Sequence, residues 1–245
     1  MTRKQYFSSG LKDGMPICFG YFAVSFAFGI QAAGIGLSVF EASVLSALNV
    51  TSAGQFAALA IIASGASLIE LAFTQLIINL RYFLMSCALS QKLSPSLPLG
   101  HRLGIAYGMT DEIFAVSVSQ REPLSPFYGY GLIAVAIPGW VLGTALGAAA
   151  GNILPAVLTN ALGIAIYGMF IAIILPPAKE NRVVAGVVVL SMVLSALFTY
   201  LPVLCNISSG FRIIVITLIT AGGAALLFPI PDEPAEPKKE MPHEG

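Results

Sequence analysis

PLSPFYGYGLIAVAIPGWVLGTALGAAAGNILPAVLTNALGIAIYGMFIAIILPPA, residues 123–178, contains no Asp, Glu, Lys or Arg. The preceding residues 70–122 are almost as apolar but carry Glu70, Arg81, Lys92, Arg102, Asp111, Glu112, Arg121 and Glu122. Hydrocarbon-compatible segments beside segments with acids and an arginine set into them are the pattern of a membrane protein that moves something polar, because an ionisable group at bilayer depth is expensive and needs a use. Composition agrees: 57% of the 245 residues are hydrophobic and 10% charged, against roughly a quarter charged in soluble domains. The formal net charge is zero and no basic run interleaved with aromatics occurs, so a nucleic-acid partner is excluded as a class.

A membrane-crossing helix takes about 20 mostly apolar residues. Runs of that kind, bounded by charges, prolines or glycines, fall near 15–33, 39–62, 66–90, 103–119, 127–150, 156–176, 183–203 and 210–228. An all-α polytopic bundle of six to eight membrane segments over 1–228 is predicted. The Pro-rich residues 229–245 form a solvated cytoplasmic tail, too polar to bury a core. Residues 1–14, polar and holding Arg3, Lys4 and Lys12, lead into a retained span rather than a cleaved signal.

Basic residues in short loops prefer the cytoplasm. Arg3, Lys4 and Lys12 place the N-terminus there, and Lys92 with Arg102, Arg121, Lys179 with Arg182, and Lys238 with Lys239 prefer the same side. Eight full crossings put Lys92 and Arg102 outside. The conflict eases if segments in 39–62 and 103–119 enter the membrane without crossing it, leaving six full spans, and such broken segments are tolerated only where protein or water covers their backbone. An internal echo at an offset of 114 pairs Phe28 and Gly29 with Leu142 and Gly143, and Gly54, Phe56 and Ala58 with Gly168, Phe170 and Ala172. Repeats of this type place transporter sites at their interface, although glycine and alanine are common enough here for chance to produce the match.

Three groups of residues can carry chemistry. Asn49, Thr51, Ser52, Gly54 and Gln55 interrupt an apolar segment; a helix unwound there would aim backbone amides at a carboxylate, whereas the structural alternative is close helix packing with Gln55 as an interhelical hydrogen-bonding group. Glu70 and Arg81 lie eleven positions apart, about three helical turns and roughly 16 Å, too far to pair with each other. Each needs another partner, a hydrated cavity or the interface. Thr110, Asp111 and Glu112 put adjacent acids between apolar flanks. Neighbours on a helix point about 100° apart, so one acid can face a cavity while the other meets Arg81, a plausible proton-coupling or ammonium-binding arrangement; the alternative is an interfacial helix start with Asp111 as its cap.

Enzymatic readings find little support. His101 and His243 are the two histidines, and neither supplies a base at depth for a nucleophile. Gly129 and Gly131 resemble the start of a dinucleotide fingerprint, but Ala134 stands where the third glycine belongs and no strand precedes them. Cys18, Cys87 and Cys205 have neither disulfide nor metal-ligand spacing and are expected as packing residues. No catalytic, metal or cofactor site is predicted.

At Asp13 and Pro16, at Tyr21, Ala27, Phe28 and Gly29, at Gln55 and Phe56, in NLRYFLM from Asn79 to Met85 and in TDEIFA from Thr110 to Ala115, the chain resembles the AzlC family, the large subunit of branched-chain amino acid exporters. The resemblance covers residues 10–120 strongly and the second half more loosely. It implies an inner-membrane permease exporting valine, leucine, isoleucine and, at the edge of its range, methionine, with a small AzlD-type membrane partner. Two departures stand out: Tyr82 follows the arginine where relatives often carry histidine, and Ser52, Ala53 and Gly54 rearrange the residues ahead of Gln55. On this reading backbone amides near Ser52 to Gly54, with Arg81, receive a substrate carboxylate; Asp111 or Gln55 receives the ammonium; Phe28 and Phe56 enclose the side chain; and Asp111, Glu112 and Glu70 couple transport to protons. The rival reading is a passive channel or a scaffold subunit whose partner carries transport.

Overall fold

The computed structural model describes residues 2–120, 124–151, 174–202 and 204–229, with positions 153, 157, 168 and 171 isolated between them. The span expected near 156–176 lies mostly outside the described residues, as do residues 230–245 of the tail. Among the described residues the secondary structure is helical, apart from one isolated bridge between Leu93 and Leu124, and five helices are long and apolar enough to cross a membrane. These are α1 (Arg3–Gly34), α4 (Leu68–Lys92), α7 (Pro126–Gly151), α8 (Arg182–Tyr200) and α9 (Ser209–Leu227). Residues 39–63 and 99–118 are each broken into two short helices: α2 (Val39–Leu48) and α3 (Ser52–Ala63), then α5 (Leu99–Tyr107) and α6 (Asp111–Val118).

The core is the pairing of α1 with α7. Gly10 lies against Gly131, Cys18 against Gly139, Phe22 against Gly143, Phe26 against Gly147 and Ile30 against Gly151, so residue numbers rise together and the two helices run parallel. Glycines at 139, 143, 147 and 151 recur every fourth residue on one face. Such spacing removes side chains from the contact and lets backbones touch, the close packing that holds helices together where lipid removes the hydrophobic incentive. A Cβ on Gly147 would collide with the Phe26 carbonyl oxygen. The charge-free stretch is thus a packing surface on α7, whereas α4 turns Leu68, Ile69, Phe73, Leu76, Leu80 and Phe83 outward, as suits a helix bathed in acyl chains.

Each broken segment is a hairpin that enters and returns from one end of the α1–α7 pair. α2 starts just after α1 ends, behind a Ser38–Glu41 capping box, and Ala42 joins Phe28, Ala32, Leu59 and Ala148 in one buried cluster. Ala42 on the way in and Leu59 on the way out sit at the same depth, while Val50 between them packs with Ile17, Tyr21 and Trp140 deeper inside. α5 and α6 do the same from the opposite end: His101 Nδ1 pairs with Tyr130 Oη at 2.8 Å and Gln120 donates to Tyr128 Oη at 3.1 Å, both near the start of α7. The tip of this second hairpin reaches Tyr21 through Glu112. α4 runs antiparallel to α1 between the hairpins, and Arg102 donates to the carbonyls of Ser90, Ser94 and Leu97 at its end.

The duplication visible in three dimensions is therefore a long helix plus a re-entrant hairpin, α1 with α2–α3 and α4 with α5–α6, inserted from opposite sides. Thr51 and Thr110 occupy equivalent places as the N-caps of α3 and α6. It differs from the offset of 114 expected from the sequence, whose Gly168 to Ala172 half falls largely outside the described residues. Of the cysteines, Cys18 packs against Gly139, whereas Cys87 and Cys205 are exposed rather than packed.

Candidate functional site

The two hairpin tips meet at a cavity of about 450 Å³, within the roughly 300–1,000 Å³ of small-molecule sites. The first hairpin contributes Val50 and Ser52 and the second Thr110, Asp111 and Glu112; α1 adds Ile17, Gly20, Tyr21 and Val24, α4 adds Tyr82 and α7 adds Trp140. Its carboxyl groups thus come from a broken segment, and most of its apolar wall from the unbroken helices.

The two tips differ in charge. α6 begins with Thr110, whose Oγ1 accepts from Ile113 N at 3.3 Å, and carries both Asp111 and Glu112 in its first turn. α3 begins at Ser52 with no side-chain cap, and the Thr51 hydroxyl donates to Asn49 Oδ1 at 2.8 Å. The first amides of a helix have no partner inside it and stand at the positive end of its dipole. Ser52, at the uncapped start of α3, thus shares the cavity lining with the carboxyl groups of Asp111 and Glu112.

Arg81 Nη1 lies 2.8 Å from Asp111 Oδ2, with side chains 40% and 38% accessible, so the pair is formed with its Asp111 partner on the cavity wall. Its guanidinium also donates to Tyr82 Oη at 2.8 Å and sits 4.7 Å from that ring's centroid. Tyr82, where the resemblance led one to expect histidine, thus anchors the arginine by stacking and hydrogen bonding. Glu112 Oε2 accepts from Tyr21 Oη at 2.6 Å, and Tyr21 meets Trp140 edge-to-face at 5.4 Å.

The remaining residues singled out in the sequence are placed elsewhere. Phe28 and Phe56 stack edge-to-face at 5.3 Å in the buried cluster near the end of α1, away from the cavity lining. Gln55 is fully buried in a ring of bonds: its Nε2 donates to Ser46 Oγ and its Oε1 accepts from Trp140 Nε1, each at 2.8 Å, while Ser46 Oγ and Thr144 Oγ1 share a 2.7 Å bond. Gly54 faces Gln75 and Asn79 of α4. Glu70 is buried at the start of α9, where its Oε1 accepts from Gly210 N at 2.8 Å. Among the described residues no group of three or more His, Cys, Asp or Glu could hold a metal.

Tyr21 and Trp140 are the aromatic pair among the wall residues that reasoning from the sequence left out of the site. An aromatic inside a charge-free helix carries no local signal of which face it takes, although the uniqueness of Trp140 among 245 residues and the placement of Tyr21 among the matched positions were available hints. Replacing Gln55 with Leu leaves Trp140 N–H without its acceptor; we expect a loss of about 2 kcal/mol and a shift in the emission of this single tryptophan. Unchanged melting and emission in the Gln55→Leu protein would show that the ring does not hold the indole.

A family model described as AzlC protein matches residues 16–154. The chain belongs to the AzlC family. The match ends where α7 ends, so it contains both hairpins, the α1–α7 pair and the cavity between them. Among similar proteins, an "Uncharacterized membrane protein" of Archaeoglobus fulgidus is 35% identical over 189 residues, covering 76% of this chain and 83% of that one. The "Inner membrane protein YgaZ" of Escherichia coli is 31% identical over 184 residues, covering 72% and 75%. No solved structure matches. This AzlC-family chain is accordingly a transport-related membrane protein, in a family that is one of membrane transport and not of enzymes.

Proposed function

We propose that the chain is the large subunit of a permease that exports branched-chain amino acids from the cytoplasm, coupled to the proton gradient and assembled with a small AzlD-type membrane partner. The single observation that carries the reading is the cavity's polarity: Ser52 at the uncapped start of α3 shares its lining with Asp111 and Glu112 and with the apolar Ile17, Val24, Val50 and Trp140. A zwitterion with an apolar side chain complements all three walls at once. Its carboxylate lies at the Ser52 end, its ammonium at Asp111 and Glu112, and its side chain against Tyr21 and Trp140. Arg81 holds Asp111 in place through their ion pair. This assigns the apolar enclosure to α1 and α7 in place of Phe28 and Phe56, and leaves Gln55 as the residue that positions Trp140. The basic residues Arg3, Lys4 and Lys12 put the N-terminus in the cytoplasm on the positive-inside rule.

The direct test is counterflow of labelled valine in vesicles holding both subunits at two imposed pH gradients. Saturable exchange that responds to the gradient is expected; flux that neither saturates nor responds points to a passive channel. A sharper test uses Ser52, the first residue of α3. Proline is accommodated at a first helical position and Thr51 before it is already extended, so Ser52→Pro deletes one amide donor while keeping the helix. Losing a hydrogen bond to a charged group costs about 1.5–3 kcal/mol, so KM for valine should rise about tenfold or more, whereas Ser52→Ala, which keeps the N–H, should stay close to the parent. Equal KM values for the two variants would remove the amide cluster from the substrate site.

A further inference from the structure

The two carboxyl groups of the cavity are held in different ways. Asp111 is paired with Arg81 at 2.8 Å, whereas Glu112 has no Arg, Lys or His within ion-pair reach among the described residues. Its partner is a neutral group, the Tyr21 hydroxyl, at 2.6 Å. When both acids are ionised, the single charge of Arg81 offsets one of two negative charges, and Glu112 carries the surplus.

Adding a proton has different consequences at the two acids. Arginine has donors, no acceptor and a permanent charge, so neutralising Asp111 breaks the pair and strands a cation, the costly way to divide an ion pair. A tyrosine hydroxyl both donates and accepts. Tyr21 can therefore donate to a Glu112 carboxylate or accept from a Glu112 carboxylic acid, and the contact survives either state. Glu112 is exposed and lines the cavity, within reach of water and solute. Tyr21 is buried against Trp140, a fixed post for a carboxyl group that changes charge. α6 packs against α1, α4 and α7, and few titratable groups meet Glu112 there. They are Tyr21 from α1, Tyr82 with its bonded Arg81 from α4, and the neighbouring Asp111; α7 presents Trp140, which does not titrate. Lys92 and Tyr128 belong to the far end of α6, where Lys92 donates to the Val118 carbonyl and Tyr128 joins Gln120 to Asp13.

We propose that Glu112 is the group on which proton and amino acid are exchanged, its carboxylate taking up the substrate's ammonium and a proton in turn, one for one. The inference rests on the substrate reading above and narrows it to one acid. An ammonium has three donors and no acceptor, and its strong bonds are to ionised oxygens, so a protonated Glu112 lets it go. Facing outward, Glu112 takes a proton from water as the ammonium leaves; facing the cytoplasm, it returns that proton to water and receives the next ammonium. Each amino acid leaving is matched by one proton entering, while Asp111 stays with Arg81.

Trp140 is the single tryptophan and touches Tyr21, so its emission in the purified full chain reads the state of Glu112 without any amino acid present. A one-proton change of emission with pH is expected, lost in Glu112→Gln, which keeps an acceptor for Tyr21, and retained in Asp111→Asn. Both variants are needed because adjacent carboxyl groups titrate as a pair. Valine affinity, from calorimetry on the same proteins, should fall about tenfold per pH unit on the acid side of that change. In Glu112→Gln it should be weaker and independent of pH. An emission change absent from the parent, or surviving in Glu112→Gln, overturns the proposal. If Glu112→Gln does not fold, Glu112→Asp decides, since withdrawing the carboxyl by one methylene must move the midpoint, and an unmoved midpoint overturns it. Valine bound equally well at every pH overturns the exchange and leaves the substrate reading standing. A parent that shows the Glu112 transition but binds no valine at any pH removes that reading, and the exchange with it, while keeping Glu112 as a proton site.

Discussion

Under the proposed function, Arg81→Met and Asp111→Leu, made singly, should each abolish transport and destabilise the protein by up to about 3 kcal/mol, the cost of one unpaired charge within a membrane. The double variant regains most of that stability and none of the transport. The reasoning follows from the 2.8 Å pair: removing one partner strands the other, whereas removing both leaves neutral side chains of similar bulk, often close to neutral for stability. Partial exposure of both side chains softens the penalty, which makes that figure an upper bound. A thermal-melting cycle on the four proteins gives the coupling, and vesicle flux gives the function. Additive losses would show that the two charges do not depend on each other, and flux surviving in the double variant would take Asp111 out of the transport site.

The second large effect comes from one substitution made at two places. Gly147→Ala should cost about 3 kcal/mol or more, because the new methyl group meets the Phe26 backbone and backbone cannot step aside, which puts it at the upper end of overpacking losses. Gly186→Ala on α8, where a Cβ meets nothing within 4 Å among the described residues, should instead gain about 0.5–1 kcal/mol from helix propensity. Opposite signs in detergent melting, with the yield of folded Gly147→Ala reduced, are the expected result. Similar small changes at both sites would mean that α1 and α7 do not meet through their backbones.

Much of this architecture could be read from the residues because membranes leave few options. Lys92 and Arg102 could not lie outside without breaking the positive-inside pattern, and Asn49 to Gln55 and Thr110 to Glu112 were too polar for plain spans; both considerations pointed to segments that enter and turn back. The breaks lie at Asn49 to Thr51 and at Gly108 to Thr110, and the structure joins Arg81 to Asp111 as one of the partnerships that cost alone demanded. What stayed hidden was rotation. Phe28, Phe56, Tyr21 and Trp140 are all aromatic in apolar helices, and nothing in a lipid-solvated sequence says which of them faces inward, since both faces of α1 and α7 are hydrophobic. Glu70 was hidden for a different reason: its partner, Gly210 N, is a backbone group 140 positions away and leaves no trace in side-chain pattern.

The opposed hairpins also give the cavity two independent walls. Their four helices run 8 to 12 residues, with α2–α3 packed near the α1 C-terminus and α5–α6 near the start of α7. Under the proposed function, displacing one hairpin at a time would open the cavity toward one end of the α1–α7 pair and then toward the other, with no continuous passage between them.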